Sequence, residues 1–256
     1  MPYLSKNCLG VVIIMTFINC DMGEAFGLYR LGDDEGLMPL ISIANVACGF
    51  HGSDFNHMRE TVRLAKRYGV KVGAHPSLPD LQGFGRREMK MAREEMTNCA
   101  IYQIGALKGF LEAEGMVLNH IKPHGSLYGM AARQPEIAHA MCDAADVFKV
   151  PLLGMINTLH ETIYTERGHA FMSEYYADLD YSDDGFVIIK RQYEAKDPHM
   201  AAERAVIAIK TGTTVSVNGK TVAVRADTIC VHSDTPNAVA IATAVREAVK
   251  PYLSAT

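Results

Sequence analysis

The sequence predicts an α/β protein built as a (β/α) barrel, either seven-stranded or distorted from the TIM type. Short apolar runs alternate with helix-like patterns about seven times along the chain, as expected for a parallel sheet covered by helices. Polar residues suited to catalysis follow nearly every apolar run, which is where a barrel places its functional loops. An open doubly wound sheet is the alternative, but the sequence has neither nucleotide-binding glycine motif that would support it.

The predicted strands and helices follow from this alternation. Apolar runs end close to Asn19, Asn45, Ala74, Ile121, Met155, Glu174 and His232. Helix-like periodicity occupies residues 54–68, 88–114, 134–147, 158–167, 198–211 and 236–250. The first of these helices has Ser53 or Asp54 as a candidate N-cap and Gly69 at its end. Asn218-Gly219 lies between two alternating runs and predicts a β-hairpin over residues 213–224.

The first residues admit two interpretations. Lys6 and the following LGVVIIM resemble a short signal peptide, but no small-residue cleavage site follows. We therefore expect a buried first strand, with residues 1–14 as an extension and residues 15–256 as one domain. Two domains are compatible with the length but are not required by it. No apolar run approaches the ~20 residues of a membrane-spanning helix.

Composition excludes some partners. The formal net charge of −4 argues against a nucleic acid or an anionic membrane surface as the main partner. The six cysteines are scattered without a C-x-x-C pair, which indicates reduced thiols in a cytoplasmic protein. Cys48 and Cys230 adjoin polar motifs, but neither has a neighbouring base in the sequence, so we interpret both as small core residues. The sequence leaves the oligomeric state open, including a homo-oligomer.

The polar residues after the apolar runs form the candidate site. They are Asn19, Asp21, Glu24, Asn45, His51, Asp54, His75, Asp80, Arg86, Arg87, Lys122, His124, Glu174, Asp178, His232 and Asp234. Loops that follow the strands of a barrel gather on one face, so these dispersed residues are expected to meet in space.

Several of these residues suggest a particular chemistry. Lys122 and His124 are two residues apart in an extended segment, so both side chains point to one face. A lysine there can neutralise a developing anion, and a histidine can move a proton. His51 has no structural reason for its place after Gly49, whereas Asp54 is explained as the helix cap.

Other members of the set are ambiguous. Arg86 and Arg87 suit the binding of a carboxylate or phosphate, but adjacent side chains diverge, so at most one is expected to face the site. His232 and Asp234 form a second histidine–carboxylate pair. Such pairs serve either proton transfer or metal ligation, and the sequence leaves both open.

Seven stretches resemble the LamB/YcsF family, in the same order along residues 15–250. They are NCDMGEAFG (19–27), NVACGFH (45–51), GAHPSLPDLQGFGRR (73–87), YQIGAL (102–107), KPHGSLY (122–128), the ADxxYxxDG arrangement (177–185) and CVHSDTP (230–236). The resemblance implies a barrel of the glycoside hydrolase/deacetylase type. It also implies a cytoplasmic enzyme that works with partner subunits B and C, opening the lactam of 5-oxo-L-proline to L-glutamate while ATP becomes ADP and phosphate.

The resemblance also implies the roles of the site residues. The expected catalytic residues are Asp21, Glu24, His51, His75, Lys122, His124, His232 and Asp234. The expected substrate-binding residues are Asn19, Asn45, Asp80, Arg86 and Glu174. ATP is then a co-substrate, and a divalent metal is left open.

The chain departs from the family pattern, and other functions compete. Leu179-Asp180 stands where the family pattern Ala-Asp-Arg has its arginine. If that arginine binds an anionic group, the chain is expected to take a different or less anionic lactam, or to depend on another subunit for that contact. Phe17, Gly52-Ser53 and Ser233 are further departures. The alternatives are a metal-dependent amide or N-acetyl hydrolase, with Asp21, His51 and His75 as candidate ligands, and a non-catalytic subunit.

Overall fold

The computed structural model describes residues 4–6, 12–190 and 192–254. Two short strands, β1 (Leu4–Lys6) and β2 (Val12–Ile14), pair antiparallel in a sheet of their own. The apolar run at 9–15 was expected to form the first strand of the barrel, but that strand begins only at Phe17. That residues 1–14 are an extension stays a prediction, and residues 1–3 and 7–11 lie outside the described part of the chain.

Seven parallel strands close into a barrel, which confirms the predicted fold class. The remaining strands are β3 (Phe17–Met22), β4 (Ile43–Ala47), β5 (Lys71–His75), β6 (Leu118–Ile121), β7 (Leu152–Gly154), β8 (Phe171–Tyr176), β9 (Thr213–Val215), β10 (Thr221–Ala223) and β11 (Thr228–His232). Within the barrel the order is β11-β3-β4-β5-β6-β7-β8. The register of β3 with its two neighbours sets Asp21 beside both Asn45 and His232.

Helices follow most barrel strands and pack around them. They are α1 (Asp34–Leu37), α2 (Phe55–Tyr68), α3 (Arg93–Ala113), α4 (Gly125–Ala131), α5 (Pro135–Phe148), α6 (Leu159–Glu166), α7 (Pro198–Thr211) and α8 (Ala238–Val249). Asp54 caps α2 by accepting from the backbone N–H groups of Asn56 and His57, and Gly69 ends that helix in the left-handed conformation, both as predicted. Among the described helices, none is long and apolar enough to cross a bilayer.

The predicted hairpin is also present. β9 pairs antiparallel with β10 as a separate two-stranded sheet, with Thr213 opposite Ala223. Asn218-Gly219 lies at its turn, where Gly219 has a φ of +82°.

The two faces of the strands have different surroundings. In β3, Ile18, Cys20 and Met22 belong to the apolar core shared with the helices. Asn19 and Asp21, which alternate with them, point into the barrel and bond to polar partners. The barrel interior therefore carries a polar layer that continues to the carboxyl end of the strands, where the candidate site lies.

Candidate active site

The predicted polar residues converge at the carboxyl end of the barrel. One set lines a pocket: Asp21, His75, Arg86, Lys122, His124 and His232. A second set lies directly behind the first and contacts it: Glu24, His51, Glu174 and Asp234. The expected convergence is present, while the catalytic role of each residue stays a prediction.

Lys122 is the centre of the charged network. Its Nζ atom lies 2.8 Å from Oδ1 of Asp21 and 2.9 Å from Oε1 of Glu174, and all three residues are buried. Burial works to lower the pKa of Lys122, but Asp21, Cys230 and Glu174 outweigh it and hold the pKa well above its usual value. Lys122 therefore stays charged, with its charge matched by two carboxylates.

Asp21 joins Lys122 to two histidines. Its Oδ2 atom lies 3.3 Å from Nε2 of His75 and 3.8 Å from Nε2 of His232. Burial works to raise the pKa of Asp21, but the charges of His75 and Lys122 bring it well below its usual value. Asp21 is therefore an ionised carboxylate at the floor of the pocket.

Two asparagines form a layer beneath Asp21. Asn45 donates through Nδ2 to Oδ1 of Asp21 and to Oδ1 of Asn19, both at 2.8 Å. His120, which the sequence reasoning overlooked, lies with its Nε2 2.7 Å from Oδ1 of Asn45. Neither asparagine lines the pocket, and both are fully buried. In this structure they hold Asp21 in place, and their expected role in substrate binding stays a prediction.

His75 and His124 face each other through two ring nitrogens that both lack a hydrogen, so a proton or a metal ion must lie between them. Nδ1 of His75 lies 2.7 Å from the backbone carbonyl oxygen of Lys122, and Nε2 of His124 lies 2.9 Å from that of Phe84. A carbonyl oxygen only accepts, so both of these nitrogens carry hydrogen. The other nitrogens, Nε2 of His75 and Nδ1 of His124, lie 2.9 Å apart. The pair therefore shares one proton or binds a metal ion.

Glu24 lies beside this pair and changes protonation near neutral pH. Its Oε1 atom is 3.0 Å from Nε2 of His51 and 3.4 Å from Nδ1 of His124. Burial, together with the carboxylates of Asp21 and Asp234, raises the pKa of Glu24 to about 7. Burial lowers the pKa of His51 to about 3 and holds that of His124 well below its usual value. At pH 7 the two stacked imidazoles are neutral, and Glu24 is the group that gains or loses a proton.

His232 supplies a positive charge on the other side of the pocket. Its Nδ1 atom lies 3.0 Å from Oδ1 of Asp178, and its backbone N–H donates to Oδ2 of the same residue at 2.8 Å. Burial works to lower the pKa of His232, but Asp178 raises it to about 9. The sequence reasoning placed Asp178 in the site but gave it no role. In the structure it keeps His232 protonated and fixes its orientation.

The loop between β5 and α3 carries two arginines with different surroundings. Arg86 points to the site, and Arg87 stabilises the loop. The Arg86 side chain is only 6% exposed, lies 2.8 Å from Oδ2 of Asp234 and stacks on the ring of Tyr193. Arg87 is 58% exposed and pairs with Asp80. The structure confirms that at most one arginine faces the site. The carboxylate of Asp80 also accepts from the backbone N–H of Gly83 and so holds the loop, and its expected role in substrate binding stays a prediction.

The pocket combines charged and apolar side chains. Its apolar lining consists of Pro123, Tyr128, Tyr176, Leu179, Val187, Ile189 and Tyr193. The space in the pocket is about 30 Å³. Tyr176, Val187, Ile189 and Tyr193 were not predicted from the sequence, because apolar and aromatic side chains give no charge signal at a strand end. The tyrosines among the polar residues of 174–193 were the available signal.

Leu179 stands where the family pattern has an arginine. Its side chain is buried and lines the pocket, so this wall is hydrocarbon where the family pattern has a guanidinium. The neighbouring carboxylate of Asp180 lies 3.2 Å from Nζ of Lys196 and 3.8 Å from Nζ of Lys190. Asp180 is thus paired with surface lysines and brings no negative charge into the pocket.

One group of side chains fits a divalent metal. Among the described residues, Glu24, His51, His75 and His124 are all buried, and their candidate ligand atoms lie within 4.8 Å of one another. Imidazole and carboxylate ligands suit zinc and similar ions. The carbonyl bonds to the second nitrogens of His75 and His124 are the kind of support that metal-binding histidines receive. The set differs from the expected Asp21, His51 and His75, since Asp21 falls in a separate group with Cys230 and His232.

Comparison with known proteins shows which family this chain belongs to. The LamB/YcsF family matches residues 17–253, nearly all of the chain.

The chain belongs to the LamB/YcsF family.

Named relatives within this family agree with that assignment. The chain is 50% identical over 181 residues to the lactam utilization protein lamB of Emericella nidulans, covering 71% of each chain. It is 43% identical over 234 residues to the 5-oxoprolinase A subunit of Staphylococcus saprophyticus, covering 90% of this chain and 93% of that one. The crystal structure of the lactam utilization protein from Thermus thermophilus superposes with a TM-score of 0.86 at 42% identity, covering 93% of this chain and 96% of that one. The LamB/YcsF chain is thus related to 5-oxoprolinase subunits and to lactam utilization proteins.

Proposed function

We propose that this LamB/YcsF chain is the lactam-opening subunit of an ATP-dependent, cytoplasmic 5-oxoprolinase. In this proposal 5-oxo-L-proline, ATP and water give L-glutamate, ADP and phosphate, and the chain works with partner subunits B and C. The names of its relatives support this assignment. Among the structural observations, the one that carries it is a lysine buried between two carboxylates beside a set of histidines, at the mouth of a barrel.

The residue types suit the difficulty of the reaction. An unstrained amide has a poor electrophile in its carbonyl carbon and a poor leaving group in its nitrogen. Transfer of the γ-phosphoryl group of ATP to the lactam oxygen releases ADP and activates the carbon. Water then adds to that carbon, the C–N bond breaks as the ring nitrogen takes a proton, and water releases the phosphate. The site must therefore supply a base, an acid and positive charge.

The proton-transfer groups are divided between the two sides of the pocket. We assign the base to Glu24 with His75 and His124, because Glu24 changes protonation near pH 7 and lies 3.4 Å from His124. We assign the acid to His232, because it lines the pocket and Asp178 keeps it protonated. Lys122 and Arg86 supply the positive charge near the reacting oxygen.

The assay that tests this proposal measures glutamate and ADP together. The chain is purified alone and with subunits B and C, and each preparation receives 5-oxo-L-proline with and without ATP. We expect equal amounts of glutamate and ADP from the complete complex only when ATP is present. A panel of other lactams, with and without a carboxylate, then reports how the Leu179 wall affects substrate choice. Complete absence of ATP-dependent ring opening for every lactam would overturn the proposal.

The metal-fitting group favours a second candidate, a metal-dependent amide or N-acetyl hydrolase. Glu24, His51, His75 and His124 would hold the ion, which would polarise a carbonyl group and make bound water more acidic. In this candidate, His232 would still donate a proton to the leaving nitrogen.

Two measurements separate the candidates. Metal content of the purified chain shows whether the histidine group is occupied in solution. Amide hydrolysis that needs no ATP and stops on addition of a chelator would support the second candidate and contradict the first. Glutamate formation that requires ATP and persists in the chelator-treated chain, with Mg²⁺ supplied for the nucleotide, would support the first.

A further inference from the structure

Five exposed apolar side chains lie on one side of the barrel mouth. Leu28 is 97% exposed, Tyr29 80% and Phe55 72%, while Phe26 and Leu31 expose smaller parts of their side chains. We call these five residues the apolar rim. They follow β3 and β4, which are neighbours in the barrel, so they share one sector of its carboxyl end.

The backbone that carries the apolar rim is held in place. Phe26 and Tyr29 exchange backbone hydrogen bonds of 3.0 and 2.8 Å. The N–H of Gly27 donates to Oδ2 of Asp54 at 2.8 Å, and the N–H of Ser53 donates to the carbonyl oxygen of Ala25 at 2.8 Å. These bonds tie the loop after β3 to the start of α2. The apolar side chains are thus presented on an ordered surface, which lowers the entropy lost when a partner binds.

The exposed area suits the centre of a protein interface. The five side chains together expose on the order of 600 Å² of mostly apolar surface, counting about 200 Å² for a fully exposed aromatic side chain. Stable interfaces bury about 800 Å² on each partner, with an apolar core and a polar rim. Patches of this size on a chain that folds alone usually mark a binding site.

The apolar rim is joined directly to the proposed proton-transfer group. Its loop begins one residue after Glu24 and returns at Gly32, where an added Cβ would lie 2.9 Å from Cβ of Ser233. The hydroxyl of Ser233 in turn donates to Oε2 of Glu24 at 3.1 Å. The pocket itself is covered from another direction by Val187, Ile189 and Tyr193 of the segment after β8. A partner on the apolar rim would therefore lie next to Glu24 without displacing that segment.

The charges in the pocket indicate what the partner must bring. Lys122 is matched by Asp21 and Glu174, and Arg86 is matched by Asp234. The phosphates of ATP need positive charge or backbone N–H donors around them. Lys122 and Arg86 are assigned to the reacting oxygen and already pair with carboxylates, so further donors for the phosphates of ATP are expected from outside this pocket.

We propose that the apolar rim docks the nucleotide-binding partner subunit of the lactam-opening complex. This inference rests on the proposed function, since it takes ATP and partner subunits from it. Docking at this place sets the partner's nucleotide beside Glu24 and the pocket, and the apolar rim becomes the buried core of the interface.

Affinity measurements on matched variants test the docking surface. Leu28→Asp puts a charge at the centre of the apolar rim. Val117→Asp is the control, because Val117 is 81% exposed but immediately precedes β6, at the opposite end of the barrel. Binding of each variant to subunits B and C is measured by biolayer interferometry, with thermal melting as the check on folding. We expect Leu28→Asp to weaken binding about tenfold or more, and Val117→Asp to bind like the wild type.

Two outcomes would overturn the docking surface. One is equal binding of Leu28→Asp and wild type to subunits B and C. The other is a wild-type chain that is dimeric by light scattering, a Leu28→Asp chain that is monomeric, and unchanged binding of the partners. That result would assign the apolar rim to a second copy of the chain.

Activity of the same complexes separates this inference from the proposed function. Loss of partner binding in Leu28→Asp, with a wild-type complex that opens no lactam, would uphold the docking surface and overturn the function. If the wild-type complex opens lactams and the Leu28→Asp complex is equally active at low partner concentration, the proposed function would be upheld and the docking surface overturned.

Discussion

At the scale of single residues, the site depends on charges that are buried only because each has a partner. Lys122, Asp21 and Glu174 form one such set, and His232 with Asp178 forms another. Removing one member leaves its partners buried without compensation, which costs much more than removing an exposed pair. The residues of the proposed mechanism therefore also contribute to the stability of the fold. The effect of a substitution on activity and its effect on stability must be measured separately.

Lys122→Ala tests the first set. We expect the free energy of unfolding to fall by about 3–5 kcal/mol, because Asp21 and Glu174 then face each other without a cation. Lys108→Ala is the control, since Lys108 is 45% exposed and pairs with the exposed Glu112; it should change stability by less than about 1 kcal/mol. Urea denaturation at pH 7 measures both. Equal, small losses for the two variants would show that the buried network is unimportant for stability.

The raised pKa of His232 predicts a pH dependence of stability. The folded pKa is about 9 and the ordinary value is 6.5, so the folded state holds the proton more tightly. The resulting stabilisation, about 3 kcal/mol, is fully present below pH 6.5 and is lost as the pH rises through 9. Urea denaturation of wild type and His232→Gln between pH 6 and pH 10 checks this. The wild type should lose stability across this range more steeply than the variant, and parallel curves would contradict the assignment.

At the scale of elements, sequence pattern was sufficient where the signal is local. The cap and end of α2 were predicted from Asp54 and Gly69, and the hairpin from Asn218-Gly219. Helix α4 was not predicted, because its seven residues directly follow the KPH motif, which was interpreted as part of an extended segment. Helix α3 begins at Arg93 instead of residue 88, because the preceding residues belong to the loop that carries Arg86. Helix boundaries that depend on tertiary contacts are hard to predict from a local sequence pattern.

The loop after β5 depends on a glycine that approaches the histidines. Gly85 has a φ of +63°, and an added Cβ would lie 2.8 Å from Cδ2 of His124 and 3.0 Å from Cβ of His51. Gly85→Ala should therefore displace these imidazoles and lower the rate of the complex about a hundredfold. Gly69→Ala is the control, because Gly69 has a φ of +68° with nothing within 4 Å. It should cost about 1 kcal/mol of stability and leave the rate unchanged. Equal rates for the two variants would show that the loop does not position the histidines.

At the scale of the whole molecule, barrel closure creates the site. Asp21 and His232 lie at opposite ends of the chain and become neighbours because β11 pairs with β3. The fold class therefore predicted that the residues at the strand ends converge, which no single segment of the sequence could show. It did not predict how deep in the barrel each of these residues lies. Asn19 and Asn45 lie one layer beneath Asp21 and do not line the pocket, and Asp80 pairs with Arg87. The pocket-lining positions of Tyr176, Val187, Ile189 and Tyr193, and the contact of Asp178 with His232, were not predicted because they depend on packing between distant segments.

The central claim is that the histidine and carboxylate cluster of this chain opens the lactam, and one measurement addresses it most directly. Glutamate formation from 5-oxo-L-proline and ATP is compared for complexes that contain wild type, His124→Ala or the control His199→Ala, which replaces an exposed histidine at the start of α7. Complex formation is verified for each by light scattering. We predict that His124→Ala lowers the rate about a hundredfold or more, whereas His199→Ala retains it. Wild-type activity in an intact His124→Ala complex would contradict the account.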